Sequence, residues 1–190
     1  DDLIATLARR AAAAGGEAVI VTGDKDFLQL LSDRIKIIRP EKGTALEEEV
    51  GPGYCRERWG IEPGQIVDLL SLMGDSSDNI PGVKGIGEKT AVRLIAEYGS
   101  LDEVLSRVEE IEPESLREKI RAGRESALRS RDLVTLREAP IDIPLEGLEV
   151  GKPDEERLVD LLLRLEFHQL LKELSLGATS AKETSADYAA

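Results

Sequence analysis

The spacing of apolar and polar positions divides the chain into a short α/β portion followed by a run of helices. Leu3, Ile4, Leu7, Ala8 and Ala11 recur at helical spacing, and Gly15-Gly16 supplies a stop. Glu17 to Thr22 (E-A-V-I-V-T) is a β-branched run of the kind buried in parallel sheets. It hands over to Gly23-Asp24-Lys25-Asp26, and then to a predicted helix with Phe27, Leu28, Leu30 and Leu31 on its apolar side. Ile35 to Ile38 predicts a second strand. Pro40-Glu41-Lys42-Gly43 predicts a turn, and Glu47 to Gly53 an exposed acidic connection.

From Tyr54 onward the pattern is helical. Tyr54 to Trp59 is a short helix stopped by Gly60, and Ile66, Val67, Leu69, Leu70 and Leu72-Met73 form the inward side of the next. Further helices are predicted from Glu88 to Glu97, Leu101 to Val108 (capped by Ser100), Pro113 to Ala122 and Ser126 to Leu136. Ala139 to Pro144 turns extended. One long helix is then predicted from Asp154 to Leu174, its packing side made of Leu158, Leu161, Leu162, Leu165, Phe167, Leu170, Leu171 and Leu174. The tail beyond Gly177 reads as a linker.

Composition adjusts this picture in three ways. A hydrophobic fraction of 41% supports a core, but aromatics at 3% leave that core to Leu, Ile, Val and Ala. Cys55 is the single cysteine, so no internal disulfide and no cysteine-based zinc site can form, which fits a reducing compartment. No apolar run reaches membrane-spanning length, which makes a cytoplasmic protein without a membrane partner the expectation. The net charge of −13 argues against a generic basic nucleic-acid binder. It does not exclude phosphate held by backbone N–H groups, or carboxylates gathered around cations that invert the local field.

The candidate chemistry centres on Gly74 to Ala91, G-D-S-S-D-N-I-P-G-V-K-G-I-G-E-K-T-A. Asp75 and Asp78 stand three residues apart in a turn-prone run that continues into Pro81-Gly82. Gly85-Ile86-Gly87 then opens onto a helix near Glu88, between Lys84 and Lys89. Glycines permit close approach of a phosphate, and the first N–H groups of a helix have no internal acceptor. The run therefore reads as a metal-ligand pair coupled to a backbone phosphate site. Asp24 and Asp26 lie at the carboxyl end of a predicted strand, where open α/β sheets place their sites, and an extended backbone would turn both to one side. A helix cap plus a surface acid is the alternative for that pair, and an N-cap with a first-turn acid is the alternative for Asp1 and Asp2. Trp59 and His168 read as packing residues. Arg124, Arg129 and Arg131 read either as a track for a DNA strand or as a solvated helix face.

These motifs resemble the 5′→3′ exonuclease (flap nuclease) domain of bacterial DNA polymerase I. That family carries G-D-x-S-D-N-[IL]-P-G-V-x-G-I-G-x-K-T-A and T-[AG]-D-K-D-[FL]-x-Q-L-L, and the chain matches both. The L-x-F-x-x-L-L-x-x-L ending is similar as well. The resemblance implies an α/β PIN-like fold: a partial parallel sheet with flanking helices and no N-terminal strand, plus a helical helix-hairpin-helix subdomain. The expected divisions are residues 1–65, 66–176 and a linker at 177–190 toward proofreading-like and polymerase domains. It further implies Asp1, Asp2, Asp24, Asp26, Asp75 and Asp78 as ligands of two Mg2+ or Mn2+ ions. Phosphates would be held by Gly85 and Gly87 with Lys84, Lys89 and Thr90, and K+ by the carbonyls of Val83 and Ile86. The implied substrate is duplex DNA with a 5′ end, nick or flap. In the family the first helix opens E-A-D-D; here the chain starts at Asp1-Asp2, which predicts a fragment with an uncovered strand edge and a tendency to self-associate. A duplex-binding module without cleavage and a stand-alone flap endonuclease are the alternatives. Lys25 would steer phosphate.

Overall fold

The computed structural model describes residues 1–40 and 47–174. They fall into two units, divided between Leu145 and Glu146. In the first, helix α1 (Asp2–Ala13) precedes strand β1 (Ala18–Val21), a single 3-10 turn (Asp26–Leu30) and strand β2 (Ile35–Pro40). β1 and β2 pair in parallel, Ala18 opposite Ile35 and Val21 opposite Ile38. Strand β3 (Glu47–Val50) joins β2 antiparallel, giving the order β1-β2-β3. Helices α2 (Gly53–Trp59), α3 (Ile66–Met73), α4 (Glu88–Tyr98), α5 (Leu101–Ser106), α6 (Glu114–Ala122) and α7 (Arg124–Val134) follow.

Helix α3 is the hub of this unit. Ile66, Leu69, Leu70, Ser71 and Leu72 are all buried, as expected of a helix apolar on nearly every side. It packs on α4 and α7 and reaches the 3-10 turn, so the sheet and the helices share one core. Phe27, Leu28, Leu30 and Leu31 all enter that core, although a 3-10 turn replaces the predicted helix there. Cys55 is fully buried, and burial, with Glu62 nearby, pushes its thiol up to about 11, which leaves it inert. Trp59 stacks edge-on against Tyr54 with ring centroids 6.0 Å apart, a packing role as predicted.

Several expectations need correction. The acidic segment at Glu47 is a strand, because β2 offers a free edge and Lys36 pairs across it with Glu49 at 2.9 Å. The sheet is therefore mixed rather than all parallel. β1 is buried on one side only: Ile20 is covered while Val19 and Val21 are 53% and 63% exposed. β1 also stands at the edge of the sheet, the expected uncovered edge. In α1 the buried residues are Ala5, Thr6 and Ala8, whereas Leu3 and Ile4 are exposed. Small side chains let the helix lie close to the sheet. Thr6 is tolerated inside because its hydroxyl donates to Asp2 O at 2.6 Å and accepts from Ala139 N–H at 2.8 Å.

In the second unit the long predicted helix is two: α8 (Glu155–Arg164), capped by the Asp154 side chain, and α9 (His168–Glu173). Glu166, at φ 59°, breaks them. Only Leu162 of the expected packing side is buried, and Leu161, Leu165, Phe167, Leu170, Leu174 and His168 are exposed. The predicted linker at 177–190 and the turn residues Glu41 to Gly43 lie outside the described residues.

The connection from α3 to α4 depends on two glycines that touch. A Cβ on Gly82 would lie 2.3 Å from Gly74 N, and one on Gly74 would lie 2.6 Å from Ile80 O; both residues have positive φ. Gly82→Ala should lower stability by roughly 2–4 kcal/mol in urea unfolding. Gly64→Ala, with nothing within 4 Å of the added carbon, should change it by less than about 0.5 kcal/mol. Equal midpoints for the two variants would contradict this account.

Candidate functional site

Two segments bring their carboxylates together. The first follows β1. Thr22 Oγ1 accepts from Asp24 N–H at 3.1 Å, and Asp24 Oδ1 accepts from Asp26 N–H at 2.9 Å. The backbone from Asp24 to Asp26 is thus a side-chain-closed turn rather than the extended run the sequence suggested. Gln29 ties the next turn to the end of α7: its Nε2 donates to Asp26 O and Val134 O, and its Oε1 accepts from Leu136 N–H.

The second segment is the loop after α3. Asp75 and Ile80 exchange both backbone bonds, at 3.0 and 2.7 Å, and close a small loop with Asp78 and Asn79 near its tip. Asn79 adopts φ 57°, which asparagine tolerates better than most residues. Asp75 is buried, 4% exposed. Its Oδ1 accepts from Ser77 N–H at 2.8 Å, and its Oδ2 takes an ion pair from Lys25 Nζ at 2.6 Å. Lys25 therefore bridges the two segments.

Asp26 feels the charges of the other three acids. Burial pushes the Asp26 carboxyl up to about 7, and the charges of Asp24, Asp78 and Asp75 add to the rise against the opposing pull of Lys25. Asp26 Oδ1 is buried without a hydrogen-bond partner. Burial works against ionised Asp75 too, but the Lys25 and Ser77 hydrogen bonds outweigh it, and its carboxyl falls below the usual range.

Asp1 and Asp2 reach the site from another side. Asp1, Asp2 and Asp26 line a cleft of about 390 Å³ with Asp132, Thr135 and Arg137. Asp2 Oδ1 accepts from Arg137 N–H at 2.8 Å, so the segment leaving α7 fixes this acid. Asp1 is the exposed N-cap residue without a capping side-chain bond.

The phosphate-site candidate is a tight turn. Ile86 N–H donates to Val83 O at 3.0 Å, and Gly85 takes φ 80° at the corner. Val83 and Ile86 are buried and anchor the turn, while Lys84, Gly85, Gly87, Glu88 and Lys89 are exposed. Gly87 is the N-cap of α4, and its carbonyl accepts from Thr90 and Ala91 N–H at 3.0 Å. Three further contacts hold the turn. Val83 N–H donates to Leu72 O, buried Ser130 Oγ accepts from Gly82 N–H, and Ser126 Oγ donates to Gly82 O. Lys119 Nζ approaches Gly85 O at 3.4 Å and lines a groove of about 700 Å³ with Lys84, Gly123 and Ser126.

Of the arginines, Arg131 pairs with Asp102 at 2.8 Å and Arg124 donates to Leu105 O, so both tie α7 to α5. Sequence reasoning missed Gln29, Ser126, Ser130 and Lys119. Gln29 alone carried a signal, the glutamine of the D-F-L-Q-L-L run.

Two family models divide the chain: residues 1–60 match the 5'-3' exonuclease N-terminal resolvase-like domain, and residues 61–156 match the 5'-3' exonuclease C-terminal SAM fold. The chain belongs to the 5'-3' exonuclease family. DNA polymerase I of Bacillus caldotenax is 40% identical over 190 residues, all of this chain and 22% of that protein. The thermostable DNA polymerase I of Thermus thermophilus is 46% identical over 188 residues, 96% of this chain and 21% of that protein. The chain thus spans about a fifth of the length of these curated relatives. Its fold is shared with the flap endonuclease of bacteriophage T5, solved as a pseudo-enzyme-product complex with DNA and metal ions. The TM-score is 0.63 at 23% identity, covering 71% of this chain and 48% of that one.

The resemblance implies a divalent cation, and the donor chemistry here fits one. The donors are carboxylate oxygens, one of them buried without a partner, and burial with neighbouring like charges raises the Asp26 carboxyl in a way a cation would reverse. Closure is incomplete: among the described residues no three His, Cys, Asp or Glu side chains gather closely enough to hold an ion. No helix among them is long and apolar enough to cross a membrane.

Because the folded pKa of Asp26 lies above its ordinary 3.8, its contribution to stability is full below about pH 4 and is lost as pH rises through about 7. In EDTA the protein should lose up to about 4 kcal/mol of stability over that window. Asp26→Asn should flatten the slope and leave the protein more stable than its parent at pH 8. Urea midpoints measured from pH 4 to 8 that run parallel for the two proteins would refute the clustering.

Proposed function

We propose that this chain is the DNA-holding and cation-binding portion of a structure-specific 5′→3′ exonuclease/flap endonuclease. It would act at 5′ ends, nicks or flaps of duplex DNA in replication and repair, in the cytoplasm, as part of a DNA polymerase I. One observation carries the reading: the Lys25–Asp75 ion pair at 2.6 Å joins the acidic segment after β1 to the one after α3, and the loop bearing Asp75 runs straight into the exposed glycine turn. The share of the relatives' length that the chain covers supports continuity with proofreading-like and polymerase domains.

In this reading Asp24, Asp26, Asp75 and Asp78 hold two Mg2+ or Mn2+ ions, with Asp1 and Asp2 assisting from the cleft side. The chemistry that such ions supply is activation of water and stabilisation of the leaving oxygen. The Gly85 and Gly87 N–H groups, with Lys84, Lys89 and Thr90, hold backbone phosphates, which positions DNA without reading its sequence. The Val83 and Ile86 carbonyls are the candidates for K+. A second reading, a duplex-binding module without cleavage, draws on the incomplete closure of the carboxylates.

Cleavage of a 5′-flap duplex separates the two readings. Cutting in Mg2+ but not in Ca2+, reduced by Asp24→Ala or Asp75→Ala beyond the roughly 100-fold expected of outer-sphere groups, supports the nuclease. Tight binding without cutting supports the module. Gly85→Pro or Gly87→Pro should weaken duplex binding under either reading, and unchanged binding would refute the turn as the DNA contact.

A further inference from the structure

We infer that Lys25 is a tethered stand-in for a cation at Asp75, and that a divalent ion entering the cluster has to displace its ammonium. The inference rests on the divalent-cation reading above and specifies what that reading requires of this chain. Each oxygen of Asp75 already has a donor, Ser77 N–H on Oδ1 and Lys25 Nζ on Oδ2 at 2.6 Å. Asp26 Oδ1, on the residue next to Lys25, is buried with no hydrogen-bond partner. A divalent ion on Asp75 Oδ2 would sit beside an ammonium that is 2.6 Å from the same oxygen, and like-charge repulsion drives the lysine off.

The lysine is suited to yielding. Its side chain is 39% exposed whereas that of Asp75 is 3% exposed, so the ammonium can swing into water on its four-carbon stem while the carboxylate cannot move out to meet a cation. Its backbone is held between Asp24 and Asp26 by the turn those residues close, which keeps the ammonium at hand when no metal is bound. Lys25 also explains why the carboxylates do not close: with an ammonium on Asp75, the two segments are already joined at a distance set by the lysine. The same pair stabilises the metal-free protein, because an unpaired acid as deeply buried as Asp75 would be costly.

Mn2+ affinity, read from the electron paramagnetic resonance of the free ion, tests this without reference to cleavage. Lys25→Met should bind Mn2+ about tenfold more tightly than the parent, since one positive charge beside the ion is gone. Lys25→Arg, which keeps the charge, should stay within about twofold. In EDTA Lys25→Met should melt below the parent, and saturating Mn2+ should close that gap. Should Lys25→Met fail to fold, Lys25→Gln, which keeps a neutral donor, carries the same prediction. If the parent binds Mn2+ and the neutral variant binds it no more tightly, the stand-in role of Lys25 falls and the divalent-cation reading stands. If neither binds, both fall.

Discussion

The contact between Gly74 and Gly82 is the constraint from which the site follows. With Gly82 pressed against the Gly74 backbone, the chain leaving α3 has to double back at once. The closed loop so formed presents Asp75 toward the sheet and delivers Val83 to the Leu72 carbonyl. The same return sets the glycine turn at the start of α4, where Ser126 and Ser130 of α7 grip Gly82 from behind. One backbone contact thus places a carboxylate cluster and a phosphate-sized turn at fixed separation. The proposed nuclease reading requires a strand held a set distance from its cations, and a separation set by the backbone would meet that requirement.

The electrostatic arrangement is costly without a ligand. Lys25 pairs with Asp75 alone, burial with the neighbouring acid charges pushes the Asp26 carboxyl up to about 7, and one of its oxygens is buried with no partner. Folded proteins rarely leave a buried polar atom in that condition unless something else satisfies it in use. The protein's overall acidity is consistent with this economy. In the proposed reading phosphate is met by backbone N–H groups at a helix start, which carry no formal charge, so a net charge of −13 is compatible with DNA binding.

Much of this was legible in the sequence because the strongest signals were backbone signals. Pro81-Gly82 read as a turn and Gly85-Ile86-Gly87 as a hairpin, and the strand before Asp24 placed that acid at the carboxyl end of the sheet. What stayed illegible depended on partners distant in the chain. Glu47–Val50 reads as solvated acid until β2 offers its edge. Leu3 and Ile4 look inward by periodicity, yet α1 packs through Ala5 and Ala8 because close approach to the sheet favours small residues. The break at Glu166 has no glycine or proline to mark it. Lys25 looked like a steering charge, and only the loop after α3, fifty residues away, reveals it as the partner of a buried acid.

The central claim is that residues 23–26 and 74–78 form one cation site. Mn2+ titrated into 15N-labelled protein tests it most directly, because a paramagnetic ion broadens the amides around it. The account predicts that amides of Gly23 to Asp26 and of Gly74 to Asp78 broaden together, at the same Mn2+ concentration and before other amides. Broadening confined to one segment, or spread evenly over the acidic surface, would contradict it.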